Sequence, residues 1–219
     1  MTASIALFQK VSESDDRTFI CFGVPRGGTT MVAGLMAFCG IWMGESLPTN
    51  GEDPAFNTDR FADRETFLGQ VRQAIRDRDA RHSVWGWKFP RAASYLEEVL
   101  PHVRNPHLVI VTRDTTPASI RMSKRQGQTA TDEGILKATT TLVSLQAKNL
   151  SLAQKFQCPT LLVSYEKAVE DPRTASKEIA AFSGLNPPSD MASVVAFAQR
   201  GKYQSYFPEH ADPDRLRSP

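Results

Sequence analysis

Gly23-Val24-Pro25-Arg26-Gly27-Gly28-Thr29-Thr30 gathers three glycines, a guanidinium and two hydroxyls directly after the apolar run Phe19-Ile20-Cys21-Phe22. The glycines let the backbone turn its N–H groups toward a ligand. The helix-compatible sequence Met31-Val32-Ala33-Gly34-Leu35-Met36 adds a helix N-terminus, and the two together suit an anion, normally a phosphate. Lys88 ends a second apolar run, Ser83-Val84-Trp85-Gly86-Trp87, and is followed by Phe89-Pro90-Arg91. Arg113-Asp114 follows His107-Leu108-Val109-Ile110-Val111-Thr112, and Tyr165-Glu166 follows Thr160-Leu161-Leu162-Val163-Ser164. A lysine is a point charge and an arginine a planar fork, so both are receptors for phosphate oxygens. Carboxylates that could take a proton gather in one loop region, at Glu45, Glu52, Asp53 and Asp59.

The elements that would position these groups alternate along the chain. Strands are expected at about 18–24, 83–89, 107–112 and 160–164, each ending at a polar or ionic group. Helices are expected at about 29–39, 59–81, 92–100, 117–125, 132–156, 172–183 and 188–199. Between the first two elements and the next helix, residues 48–57 are dense in turn formers and read as a long functional loop. Strands separated by helices imply right-handed crossovers and an α/β fold of three layers, a central parallel sheet flanked by helices. In such a sheet ligands lie beyond the carboxyl ends of the strands, which is where Arg26, Lys88, Arg113 and Tyr165 fall. Residues 1–17 are polar and weakly periodic and read as an N-terminal lead-in, with one domain over 18–219.

The glycine loop has the length of a P-loop, G-x-x-x-x-G-K-[ST], but Thr29 stands at the lysine position and the cation lies three residues earlier at Arg26. A kinase or ATPase sets that lysine on the β- and γ-phosphates and a hydroxyl on Mg²⁺. Pro25-Arg26-Gly27-Gly28-Thr29-Thr30 instead resembles the phosphosulfate loop of sulfotransferases, P-[KR]-[SG]-G-T-[TS], which grips the 5′ end of PAPS. Trp85-Gly86-Trp87-Lys88-Phe89-Pro90-Arg91 is similar to the W-[GA]-x-K-[DT]-P-R segment of bacterial members, with Phe89 in place of a polar residue. Val111-Thr112-Arg113-Asp114 followed by Ser119 resembles the family's 3′-phosphate site. Here Thr115 replaces a proline, Ser119 falls six residues after the arginine rather than eight, and Arg121 takes the eighth position. Tyr165-Glu166, then Asp171-Pro172 and Phe182-Ser183-Gly184-Leu185, resembles the family's Y-E-D-L…D-P…F-x-G-[LF] region.

The resemblance implies a P-loop-like fold and a PAPS-dependent sulfotransferase that moves a sulfuryl group to a hydroxyl or amine and releases PAP. It assigns Pro25, Arg26, Gly27, Gly28, Thr29 and Thr30 to the 5′ end of PAPS, Arg113 to the 3′-phosphate, and Tyr165 to the adenine. The hydroxyl partner of Arg113 is Ser119 or Ser123, supplemented by Arg121. Lys88 and Arg26 would neutralise charge on the leaving phosphate, and no metal is required. Animal cytosolic members carry a histidine just after the strand-end lysine, where this chain has Phe89 and Pro90. None of His82, His102, His107 and His210 ends a strand, and a carboxylate is the better candidate for the base, as the resemblance to carbohydrate and several bacterial sulfotransferases implies. Asn50-Gly51-Glu52-Asp53-Pro54-Ala55-Phe56 resembles the bacterial N-x-E-D-x-x-F segment, which favours Glu52 ahead of Asp53, Glu45 and Asp59. A P-loop nucleotide kinase or NTPase and a non-catalytic PAP- or nucleotide-binding module are the alternatives.

Composition sets outer bounds. At 219 residues the chain can bury one sizeable core, and 41% hydrophobic with 23% charged residues is ordinary for an enzyme. A net charge of +2 is too small to argue for nucleic acid or an anionic lipid surface as partner. Cys21, Cys39 and Cys158 lack metal-ligand spacing and read as reduced thiols. No stretch reaches the roughly 20 apolar residues of a membrane span, and Met1-Thr2-Ala3-Ser4-Ile5 has no export-signal character, so a cytoplasmic location is expected. The acceptor, a small molecule or carbohydrate, would be selected by residues 41–60, residues 126–134 and the aromatics Tyr203, Tyr206 and Phe207.

Overall fold

The computed structural model describes residues 2–9, 15–124, 129–199, 203 and 207–208. Tyr206, His210 and residues 125–128 of the expected acceptor region lie outside the described residues. Five strands form one sheet: β1 (Ser4–Leu7), β2 (Arg17–Gly23), β3 (Val84–Lys88), β4 (Pro106–Thr112) and β5 (Thr160–Ser164). Their order is β1-β5-β4-β2-β3, with β2 to β5 mutually parallel and β1 antiparallel to β5. The eight helices among the described residues are α1 (Thr29–Phe38), α2 (Arg64–Asp79), α3 (Leu96–Val99), α4 (Thr115–Ser123), α5 (Asp132–Phe156), α6 (Tyr165–Glu170), α7 (Pro172–Ser183) and α8 (Met191–Ala198).

Alternation along the buried strands makes the three layers. Phe19 and Cys21 of β2, with Val109, Val111, Leu161 and Val163, face α1, α7 and α8 through Met31, Leu35, Ile179 and Phe197. Ile20 and Phe22, with Leu108 and Ile110, face the other side, against Phe67, Val71, Ile75, Leu96 and Leu152 of α2, α3 and α5. Both faces are covered, which is why β2 and β4 read as continuous apolar runs rather than alternating ones. The second core carries a group of rings, with Phe56 stacked on Trp87 at 4.3 Å and Trp87 on Trp85 at 5.6 Å. Both tryptophans therefore pack in the core, and the Trp87 indole N–H donates to the Tyr95 hydroxyl at 3.1 Å.

The expected α/β architecture is present, with three local differences. The lead-in is not featureless: Ser4–Leu7 adds an antiparallel strand to the edge of β5, pairing Ser4 with Val163 and Leu7 with Thr160. Ile5 is 62% exposed, so this strand leaves no apolar alternation in the sequence. Main-chain pairing and the Glu178 carboxylate hold it, the latter accepting from Ala3 N at 3.0 Å and Ser4 Oγ at 2.7 Å. The segment 92–100 is also not one helix, but a 3-10 turn at Ala92–Ser94 followed by the single turn of α3. Tyr165–Glu170, expected only as a strand end, continues into helix α6.

Candidate active site

A cleft of about 1190 Å³ opens where β2, β3, β4 and β5 end, and its walls come from the segments just beyond those strands. Pro25, Arg26, Gly28, Thr29 and Thr30 form one wall, with Lys88 to Arg91, Arg113, Arg121 and Tyr165 around the rest. Arg26 and Gly28 take left-handed backbone conformations, φ 61° and 86°. Such alternation turns successive N–H groups to one side, as an anion nest requires. Helix α1 begins at Thr29 with no side-chain cap and no acidic residue in its first turn, which leaves its positive end to the cleft. Gly28 is held to glycine by contact as well as by φ, since a Cβ there would lie 2.0 Å from Tyr165 Cδ2.

Tyr165, the first residue of α6, thus packs its ring against the loop, and its hydroxyl shares a 2.8 Å hydrogen bond with that of Tyr203. The Arg113 guanidinium lies 4.3 Å from the centre of that ring and donates to the Arg26 carbonyl. Its Nε is 3.7 Å from Glu166 Oε1, too long for a hydrogen bond, and is buried with no hydrogen-bond partner among the described residues. Arg113, Tyr165 and the loop therefore form one unit, with a guanidinium N–H still to be satisfied. Neither hydroxyl expected beside Arg113 joins it. Ser119 is fully buried and donates to the Thr116 carbonyl at 2.9 Å, while Ser123 donates to that of Ile120 at 3.1 Å. Both use the local i−3 acceptor that helical serines commonly take. Arg121, at the eighth position, lines the cleft instead.

On the opposite side Lys88 is 2% exposed and donates to Glu52 Oε1 at 3.1 Å and to the Asn50 carbonyl at 2.9 Å. Burial lowers the Lys88 pKa, and the Glu52 charge and hydrogen bond oppose that shift. Thr30 Oγ1 donates to the same Asn50 carbonyl at 3.0 Å. One backbone oxygen thus accepts from both the loop hydroxyl and the strand-end lysine, the two groups best placed to hold an oxygen of an anion. This carbonyl carried no signal in the sequence, because a main-chain acceptor is present at every residue.

The four candidate carboxylates separate. Glu52 stands in the cleft beside Lys88. Asp53, its neighbour, turns into the second core and pairs with the buried Arg78, whose guanidinium lies 4.8 Å from Phe56, 5.1 Å from Trp42 and 5.5 Å from Trp85. Asp53 also caps the turn Pro54–Phe56 through Ala55 N at 2.9 Å. Asp59 lines the outer cleft, paired with Arg91. Glu45 is exposed and does not line the cleft. Cys21, next to Lys88 across the β2–β3 pairing, is no nucleophile: burial pushes its thiol up to about 12.

The sequence matches no family model and no curated protein. The fold is similar to that of the sulfotransferase domain from the Synechococcus PCC 7002 olefin synthase. The TM-score is 0.51 at 18% identity, and the match covers 95% of this chain and 88% of that one. At that identity the likeness is one of fold: a mixed, mostly parallel five-stranded sheet flanked by helices. Among the described residues no helix is long and apolar enough to cross a membrane.

Proposed function

We propose that this protein is a sulfotransferase that takes PAPS as donor and a hydroxyl or amine of a small molecule or carbohydrate as acceptor. The observation that supports the reading is the Asn50 carbonyl shared by Thr30 Oγ1 and Lys88 Nζ, an oxygen standing where one of the donor's would sit between loop and strand-end cation. The residues present fit such a donor at both ends. The uncapped N-terminus of α1 and the Arg26–Gly28 nest receive one phosphate, and the unsatisfied Arg113 Nε, with Arg121 nearby, receives another. PAPS, when bound, supplies a sulfuryl group on a phosphate that leaves with PAP.

The chain's own groups then divide the work. Backbone N–H groups of residues 28–30 and the Thr30 hydroxyl hold and orient the phosphate, while the Gly27 N–H closes the loop on the Val24 carbonyl at 2.9 Å. Lys88 turns from Asn50 and Glu52 to the oxygen that gains charge in the transition state, where a preorganised cation in a buried site counts most. That movement frees Glu52 Oε1 to accept the proton of the attacking hydroxyl. Arg113 binds a phosphate that is unchanged by the reaction, so it contributes affinity rather than rate. The strand ends also argue against the kinase alternative: the neighbours of β2 finish in Lys88 and in Thr112-Arg113, and the aspartate that follows, Asp114, caps helix α4 through Thr116 N rather than ending a strand.

The test is transfer of radiolabelled sulfate from PAPS across a panel of sugars, phenols, alcohols and amines, with Lys88→Ala as control. Label should pass to one acceptor class with the native protein and fall sharply with the variant. Tight PAP binding without transfer to any acceptor would leave a binding module and refute the enzyme.

A further inference from the structure

Arg26 is not a glycine, yet its φ of 61° lies in the left-handed region, which an ordinary residue keeps only when its surroundings hold it there. Hydrogen bonds on either side do so. The Gly27 N–H closes the turn on the Val24 carbonyl at 2.9 Å, and the Arg26 carbonyl accepts from Nη1 of Arg113, 87 residues further on. Gly28, the second left-handed residue of the loop at φ 86°, rests against the Tyr165 ring, and the same Arg113 guanidinium lies 4.3 Å from the centre of that ring. Both bends of the nest are therefore braced from outside by one side chain, directly at Arg26 and through Tyr165 at Gly28. The Arg113 side chain is only 8% exposed, so this placement is fixed by packing. A planar fork can brace the loop and still serve a ligand: Nη1 is spent on the Arg26 carbonyl, while Nε has no hydrogen-bond partner among the described residues.

We propose that Arg113 is a positioning residue for the phosphate loop as well as the receptor of the second phosphate, so that the two anion sites of the cleft bind cooperatively. A phosphate on Nε arrests the guanidinium in the orientation that holds the Arg26 carbonyl, and with it the N–H groups of residues 28–30. A phosphate in the nest, in turn, fixes that carbonyl against Nη1. Such a coupling is equal in both directions. It rests on the function proposed above, in which one bisphosphorylated nucleotide fills both sites. A donor without the 3′-phosphate then loses more than that phosphate's own contacts, because its 5′ end meets a loop that is less well held. Arg121 supplies the contrast: it lines the same cleft and carries the same charge, but among the described residues it makes no hydrogen bond to the loop.

Titration calorimetry with AMP, which has the 5′-phosphate and no 3′-phosphate, isolates the effect. Arg113→Ala should raise the AMP dissociation constant about fivefold, although the phosphate that Arg113 receives is missing, and Arg121→Ala should change it by less than about twofold. Tyr165→Leu withdraws the ring on which Arg113 is seated, and it decides the matter should Arg113→Ala fail to fold. It should weaken AMP and ribose 5-phosphate by the same factor, about threefold, and Tyr165→Phe, which keeps the ring, should restore both. Added to Arg113→Ala, Tyr165→Leu should cost less than about twofold more, because it acts through that guanidinium. AMP affinity left unchanged by Arg113→Ala, or lowered as much by Arg121→Ala, refutes the coupling and leaves the proposed function standing. A Tyr165→Leu loss seen with AMP but not with ribose 5-phosphate makes the ring a base contact and refutes it too. A native chain that binds PAP no better than ATP–Mg²⁺ removes the function and the coupling together.

Discussion

Replacing Asp53 by Asn should melt this protein at a much lower temperature, while replacing its neighbour Glu52 by Gln should leave the melt nearly unchanged and remove activity. The Asp53 and Arg78 side chains are 4% and 10% exposed. Burial already disfavours the charged Arg78, and the Asp53 carboxylate is the main group opposing that penalty. Asp53→Asn keeps the Ala55 N–H bond but leaves a guanidinium among Trp42, Phe56 and Trp85 without its counter-charge. Removing one partner of a buried pair costs about 3–5 kcal/mol. In a domain of this size each kcal/mol moves Tm by about 2–4 °C, so the expected drop is about 6–20 °C. Glu52→Gln also removes a counter-charge, that of Lys88. This lysine, whose pKa burial already lowers, can shed its proton where Arg78 cannot. Gln keeps an oxygen for it, so the cost is about 1 kcal/mol and a few degrees. Turnover, by contrast, should fall by about 10²–10⁴ when the proton acceptor goes. Calorimetric melts and initial rates on the two variants give all four numbers. An Asp53→Asn protein that melts with the native one, or a Glu52→Gln protein at native rate, refutes the division of roles between these carboxylates.

Lys88→Ala should lower kcat and leave PAP affinity within a few-fold, whereas Arg113→Ala should raise the PAP dissociation constant with less effect on kcat; titration calorimetry and steady-state rates that show the opposite split would reverse the roles. Gly28→Ala should abolish PAP binding, since its Cβ would displace the Tyr165 ring that supports Arg113, and calorimetry showing native affinity would contradict the packing. His107 is buried against Phe19 and Phe182, faces Arg17, and bonds the Asn105 carbonyl, and burial lowers its pKa from 6.5. The unfolded chain then binds more protons below 6.5, so this group's stability is present above that pH and is lost as pH falls toward the depressed value. Its slope is at most about 1.4 kcal/mol per pH unit. Urea melts between these limits should show that slope, and His107→Gln should flatten it; identical slopes would show that His107 does not set it.

The layers were legible because buried parallel strands leave continuous apolar runs, and α1, α5 and α7 begin or end within a residue of where spacing and turn residues place them. The cleft was legible for a related reason: a parallel sheet brings together the residues just past each strand, so Arg26, Lys88, Arg113 and Tyr165 could be grouped before any geometry. Edge strand β1 was hidden because its hydrogen bonds are main-chain and Ile5 points to solvent. The fates of Glu52 and Asp53 could not be told apart, since adjacent residues in a turn face opposite ways and Arg78 lies 25 positions on. Ser119 was set beside Arg113 by motif spacing, but helical periodicity turns it into the core and brings Arg121 to the cleft.

If the proposed function is right, the cleft selects a bisphosphorylated nucleotide without the lysine and Mg²⁺ of a kinase. Thermal melts of one protein sample with PAP and with ATP–Mg²⁺ test this directly. At about 100 times its dissociation constant PAP should add about 2.7 kcal/mol, a rise of about 5–11 °C, and ATP–Mg²⁺ at the same concentration should add far less. Equal or greater stabilisation by ATP–Mg²⁺ would contradict the assignment and return the cleft to the phosphate-loop kinases and NTPases.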